Sequence, residues 1–161
     1  MKFAHLLVVL IFTFGIIGCG SQPNTECWGL SSFSIPDFKI TPLQSDSTKK
    51  STLLTPLINN RGTNVTVWNI MFKNSKYNNI TLGDDETPQI YVWNCSSEPC
   101  DLVATFFPFK MAPGQRLIVN GTIPIPYDQL DNLKIDIIFE TPRSSQNHTD
   151  TGFLACYQNL K

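Results

Sequence analysis

The side chains of this 161-residue chain that could do chemistry are few: five cysteines, two histidines, and carboxylates that gather at Asp84-Asp85-Glu86 and recur singly at Asp101, Asp128 and Asp131. A His-assisted nucleophile needs a Ser, Cys or acid held against the imidazole by the fold. His5 lies in an apolar N-terminal stretch. His148 lies in the polar run Ser144 to Thr151, whose composition predicts a solvent-exposed loop, a poor holder for a catalytic base. A blue-copper centre takes two His, a Cys and a Met, so one remaining His excludes it. Ca2+ takes six to eight oxygens from loops, and Asp84, Asp85 and Glu86, with Asp101 or with Asp128 and Asp131, are the residues that could offer them. Their spacing matches no EF-hand, and a solvated turn is the plainer reading. A glycosidase pair drawn from the same acids would need a fixed separation across a cleft, which a chain this short with no visible insertion is ill suited to build. No catalytic residue, metal or cofactor is therefore assigned.

The cysteines carry more information. Setting Cys19 aside, Cys27, Cys95, Cys100 and Cys156 form an even set, which in an exported chain reads as two disulfides with three possible connectivities. The Ser-Ser-Glu-Pro insert favours Cys95 with Cys100, leaving Cys27 with Cys156 to tie the ends of the domain together. A zinc site is disfavoured, because Cys95-x4-Cys100 has no matching second pair and only His148 to assist it.

Export is read from the N-terminus. Met1 and Lys2 supply a positive end, and Phe3 to Ile17 is apolar apart from His5, Thr13 and Gly15. The run stops at Gly18-Cys19, short of the ~20 apolar residues that a membrane-crossing helix needs. Ile16-Ile17-Gly18-Cys19 resembles a lipobox, the aliphatic-x-small-Cys signature of lipoprotein signal peptides, with Ile where Leu is commonest. The resemblance implies cleavage after Gly18 and lipidation of Cys19. The expected organisation is a signal peptide over residues 1–18, a lipidated Cys and tether over 19–32, and a domain over 33–161. Asn-x-Ser/Thr sequons at Asn64, Asn79, Asn94, Asn120 and Asn147 are glycosylation candidates that also suit an exterior address.

The rest of the chain must position whatever these residues do, and it reads as all-β. Leu133 to Glu140 puts Leu133, Ile135, Ile137 and Phe139 on one face and Lys134, Asp136 and Glu140 on the other, the period of a half-buried strand. Similar runs lie at Leu53 to Ile58, Val65 to Phe72, Gln89 to Trp93, Leu102 to Phe107 and Leu117 to Ile125, with weaker ones at Phe33 to Ile40, Ile80 to Leu82 and Gly152 to Tyr157. Turn signals separate them, at 59–62, 74–79, 83–85, 112–114 and 142–151. Seven to nine short strands predict two packed antiparallel sheets, a β-sandwich with Greek-key connections. Trp68, in phase with Ile70 and Phe72, is expected in its core. Trp93, Phe107 and Phe109 are the aromatic candidates for an exposed binding surface.

Leu57 to Val67 with its Asn-Asn-Arg-Gly turn, the Pro113-Gly114 turn leading into Arg116 to Gly121, and the Leu133 to Glu140 strand together resemble the immunoglobulin-like domains of archaeal surface and pilus-associated proteins. The resemblance implies a fold and a cell-surface address without an activity. With 12 Lys+Arg against 13 Asp+Glu, the chain has no basic footprint for nucleic acid. The expectation is a glycosylated, lipid-anchored, non-enzymatic cell-surface protein that binds a partner or takes part in envelope assembly with envelope or filament proteins. Two alternatives accompany it: a pilus- or archaellum-associated subunit that keeps its N-terminal helix, and a secreted substrate-binding or hydrolytic protein using Asp84, Asp85 or Asp128.

Overall fold

A computed structural model describes residues 25–43, 50–83, 89–130 and 132–156. Cys19, Asp84, Asp85, Glu86 and Asp131 lie outside them. Among the described residues the strands are β1 (Thr25–Trp28), β2 (Phe33–Ser34), β3 (Lys39–Pro42), β4 (Ser51–Asn59), β5 (Val65–Lys73), β6 (Ile80–Thr81), β7 (Ile90–Asn94), β8 (Asp101–Ala104), β9 (Phe109–Met111), β10 (Arg116–Ile123), β11 (Leu133–Thr141) and β12 (Ser144–Cys156). They form two antiparallel sheets packed as a β-sandwich. One runs β1-β12-β11-β5-β6, with β9 also on β5. The other runs β2-β4-β10-β7-β8, with β3 also on β4.

The alternation in the sequence becomes the core. Leu133, Ile135, Ile137 and Phe139 of β11 face inward with Val65, Val67, Ile70 and Phe72 of β5, against Leu117, Val119 and Ile123 of β10 and Ile90 and Val92 of β7. Burying such side chains is worth roughly 1.5–3 kcal/mol each, the largest favourable contribution to the fold. Inward residues of β5 change from odd to even numbers between Val67 and Ile70, and the pairing with β11 slips at that point, with Ile138 opposite Asn69 and Phe139 opposite Val67. The extra residue is a β-bulge that turns Trp68 out of the core. Trp68 is 43% exposed and its Nε1 donates to Glu140 at 3.1 Å, correcting the expectation of a buried tryptophan.

Three other expectations change. The run from Pro142 to Thr151 is not a loop: only Pro142 and Arg143 turn, and β12 begins at Ser144 opposite Thr141. The polar residues there occupy a strand whose backbone bonds are satisfied by β11, so polarity alone does not make a loop. The sandwich also starts inside the stretch expected to be a tether, because Thr25–Trp28 pairs along β12 as an edge strand. Phe33 to Ile40 divides into β2 and β3 around Ile35-Pro36-Asp37-Phe38, where Pro36 has no N–H to give a ladder.

Two polar side chains hold the crossings between sheets. Asp150 on β12, 6% exposed, accepts from the Ser32 amide at 2.7 Å, the Phe33 amide at 3.1 Å, and both the amide and the hydroxyl of Ser31 at 3.0 Å. These donors belong to the segment that carries the chain from β1 in one sheet to β2 in the other. Asn59, fully buried at the end of β4, donates through Nδ2 to the carbonyls of Thr63 and Ala112 at 3.0 Å and accepts from the Arg61 amide through Oδ1, joining the β4–β5 turn to the β9–β10 turn. Leu82, leaving β6, packs over Gly121 at the centre of β10, where a Cβ would lie 2.8 Å from Leu82 Cγ.

Two measurements check this account. Asp150→Ala removes the acceptor of four donors, of which the Ser32 and Phe33 amides are buried, and is expected to lower the unfolding free energy by on the order of 3 kcal/mol in urea melts, whereas a loss below about 1 kcal/mol would mean that the crossing is held by other contacts. Gly121→Ala overpacks β10 against Leu82 and is expected to cost about 1–3 kcal/mol, relieved by a second change of Leu82→Ala.

Candidate functional site

The pairing registers give the sandwich two distinct ends. One end carries the turns 60–64, 112–115 and 142–143 and the loop 95–100. The other carries Thr25, Cys156, the start of β4 at Ser51 and the start of β11 at Leu133. At the first end Cys95 and Cys100 are joined by a disulfide with Cα atoms 4.3 Å apart, as their spacing predicts. The closed loop is short, so it constrains the unfolded chain by only about 2 kcal/mol. Its consequence is local: the bridge and the Ser96 amide, which donates to Asn94 Oδ1 at 3.1 Å, hold the end of β7 beside the β9–β10 turn.

Between that loop and that turn lies an open depression of about 530 Å³, lined by Asn94, Cys95, Ser96, Gly114, Gln115, Arg116 and Ile118. The Pro113-Gly114 turn builds one wall. Gly114 has φ +68°, a left-handed conformation that glycine adopts without a Cβ penalty, and the Gln115 amide closes the turn on the Ala112 carbonyl at 3.1 Å. Gln115 Oε1 accepts in return from the Ala112 amide at 2.8 Å. Arg116 is exposed, and among the described residues its guanidinium forms no hydrogen bond or ion pair. Ile118 stands opposite Trp93 on the outer face of the sheet.

Of the expected binding aromatics, Trp93 flanks this site, half-buried and stacked on Tyr91 with centroids 5.5 Å apart. Phe107 and Phe109 do not join it. Phe109 is 3% exposed in the core of the other sheet, where β9 pairs with β5, and Phe107 stacks on it at 5.7 Å. An exposed role for Phe109 is thereby corrected: pairing with Val67 turns its ring inward. Gln115 and Arg116 are contributed by tertiary contact between the β9–β10 turn and the disulfide loop. The only sequence signal for them is the Pro-Gly turn that precedes them.

The remaining candidates lie elsewhere. Asp101 starts β8 at the depression's end of the sandwich, and Asp128 sits in a short 3-10 turn, Tyr127–Gln129, at the opposite end, so these two acids share no site. His148 is on β12, half-buried, with its ring 5.4 Å from that of Phe139, which corrects the exposed-loop expectation. Among the described residues no three His, Cys, Asp or Glu side chains are gathered as metal ligands, and no helix is long and apolar enough to cross a membrane. Of the sequons, Asn64, Asn79 and Asn147 are exposed. Asn94 has its oxygen engaged by Ser96, and Asn120 sits half-buried in mid-sheet between Leu54 and Tyr91.

Cys27 is a free thiol and not half of a bridge to Cys156. In register it faces Leu154, while Cys156 faces Thr25 two residues along. Diagonal positions of this kind have Cα atoms roughly 7–8 Å apart, beyond the usual span of a disulfide. Burial pushes the Cys27 thiol up to about 11, with the nearby Asp150 carboxylate adding to the shift.

Comparison with known proteins adds little to this geometry. No family model matches the chain, and no curated protein matches it. Among solved structures it is similar to a family 123 glycoside hydrolase from Clostridium perfringens, at 13% identity and a TM-score of 0.31, over 78% of this chain and 27% of that one. The chain thus spans about a quarter of that enzyme's length, and a likeness this distant carries no inference about activity.

A raised thiol pKa has a measurable consequence. The folded state prefers the protonated thiol, so its contribution is intact below the ordinary value of 9.0 and is lost as pH rises through about 11. Cys27 in the folded chain is expected to react with iodoacetamide at pH 8 at least tenfold more slowly than in urea. Equal rates would mean that the thiol is open to solvent.

Proposed function

We propose that this chain is a lipid-anchored cell-surface protein whose β-sandwich binds a partner or envelope component without catalysis. The observation that carries the reading is the disposition of the two ends. Thr25 stands six positions after Cys19 and lies at one end of the sandwich, while the disulfide-bordered depression opens at the other. A lipid on Cys19 would hold the first end within about 20 Å of the membrane, since six extended residues span no more, and leave the depression turned outward. One lipid chain gives marginal retention, so a second chain or a contact with envelope or filament proteins would complete the anchorage. The disulfide suits an oxidising exterior, and Asn64, Asn79 and Asn147 are the sequons accessible to a glycosylating enzyme. The non-catalytic reading draws support from the separation of Asp101 and Asp128 and from a half-buried His148 whose ring neighbour is Phe139.

Mass spectrometry of the protein isolated from membranes tests the anchor. A first residue at Cys19 bearing a lipid is expected, and Cys19→Ser is expected to release the protein from the membrane fraction or leave it unprocessed. An intact Met1 with residues 1–18 retained would overturn the anchor and favour the filament-subunit alternative.

A further inference from the structure

We propose that the depression between the disulfide loop and the β9–β10 turn binds a carboxylate-bearing saccharide. The inference deepens the binding role given above and rests on it. It comes from which polar atoms the fold has already used. Asn94 Oδ1 is occupied by the Ser96 amide and Gln115 Oε1 by the Ala112 amide. Because a backbone N–H can pair only with the oxygen of a carboxamide, both side chains are fixed with their NH2 groups left over. Both residues line the depression. Arg116 adds a guanidinium with no partner among the described residues, and Ser96 adds a hydroxyl. The lining therefore offers two amide NH2 groups, a guanidinium with five N–H donors and one hydroxyl.

Donor-rich walls of this kind call for an anionic acceptor, and the guanidinium fork matches a planar carboxylate in a bidentate pair. Among the described residues no carboxylate competes for it: Glu98 within the loop and Asp101 just after it form no ion pair with Arg116. The remaining wall favours a sugar as the body that carries the carboxylate. Ile118 contributes an apolar floor continuous with Trp93, a surface against which the C–H face of a pyranose can lie, while the amide NH2 groups and Ser96 can meet ring hydroxyls. The turns supplying these groups are fixed before a ligand arrives. Gln115 closes on Ala112, Gly114 donates to the Asn59 carbonyl at 2.9 Å, and Cys95 is tied to Cys100, so little ordering remains to oppose binding.

The test is isothermal titration of the purified full chain with a galacturonic acid oligomer, its methyl-esterified counterpart, and an N-acetylated dipeptide carrying a free carboxyl group. Binding of the acidic oligomer is expected, with at least a tenfold loss on esterification and a weaker response to the dipeptide. Arg116→Gln, at an exposed strand start, is expected to keep the wild-type melting temperature and weaken the acidic oligomer at least tenfold. Arg116→Lys, which keeps the charge and loses the fork, should fall between. Equal affinity for acid and ester, undiminished binding by Arg116→Gln, tighter binding of the dipeptide, or no heat from the acidic oligomer at millimolar concentration would each overturn the proposal. These outcomes are independent of the N-terminus: a lipidated Cys19 can coexist with a site that fails them, and a site that passes them can sit on an unlipidated chain.

Discussion

The carboxylate of Asp150 is the interaction on which the arrangement of the two sheets turns. A chain that passes from the edge of one sheet to the edge of the other must break its ladder of backbone bonds at the crossing, and the amides freed there, those of Ser32 and Phe33 being buried, need acceptors. Asp150 supplies both carboxylate oxygens to Ser31, Ser32 and Phe33 at that point. It does so from the middle of β12, so the edge of one sheet and the start of the other are fixed to a single residue. Among the described residues no buried side-chain polar atom is left without a partner, which indicates how fully such crossings are satisfied. The same carboxylate helps keep Cys27 protonated, coupling the edge strand β1 to the same anchor point.

Asn59 performs the corresponding task at the end of the sandwich that carries the depression. By joining the β4–β5 turn to the β9–β10 turn it sets the position of Gly114 and Gln115, and through them the wall of the candidate site. The opposing wall is set by a covalent link, since the disulfide holds the loop after β7 in place. The depression is therefore borne by the ends of strands and the turns tied to them. Division of labour between a packed scaffold and its connecting turns is a general property of sandwich domains.

Much of the fold is legible in the residues themselves. Leu133, Ile135, Ile137 and Phe139 share one face because β11 lies between two neighbours with that face to the core, and the turn residues at 59–62 and 112–114 fall between strands where they are expected. Where the reading fails, a tertiary contact has overridden a local signal. Trp68 keeps phase with Ile70 and Phe72 only if β5 is regular, and the bulge against β11 moves it to the surface. Ser144 to Thr151 has the composition of a loop, yet it is a strand because β11 offers a partner along its full length. Phe109 looks like surface material next to Pro108 until β9 docks on β5.

The residues of the chain by themselves determine that it is an all-β protein with a short disulfide-closed loop, because side-chain period and cysteine spacing are local quantities that survive in the linear order. They equally carry the lipobox-like Gly18-Cys19 junction and the sequons, which are short motifs with no need of a fold to be seen. Tertiary structure alone decides that Cys27 and Cys156 are offset by two positions, that Asp101 and Asp128 stand at opposite ends, and that Asn94, Gln115 and Arg116 share one depression. Those outcomes depend on register and on which turns meet, and strand register is set by long-range pairing that no local pattern encodes.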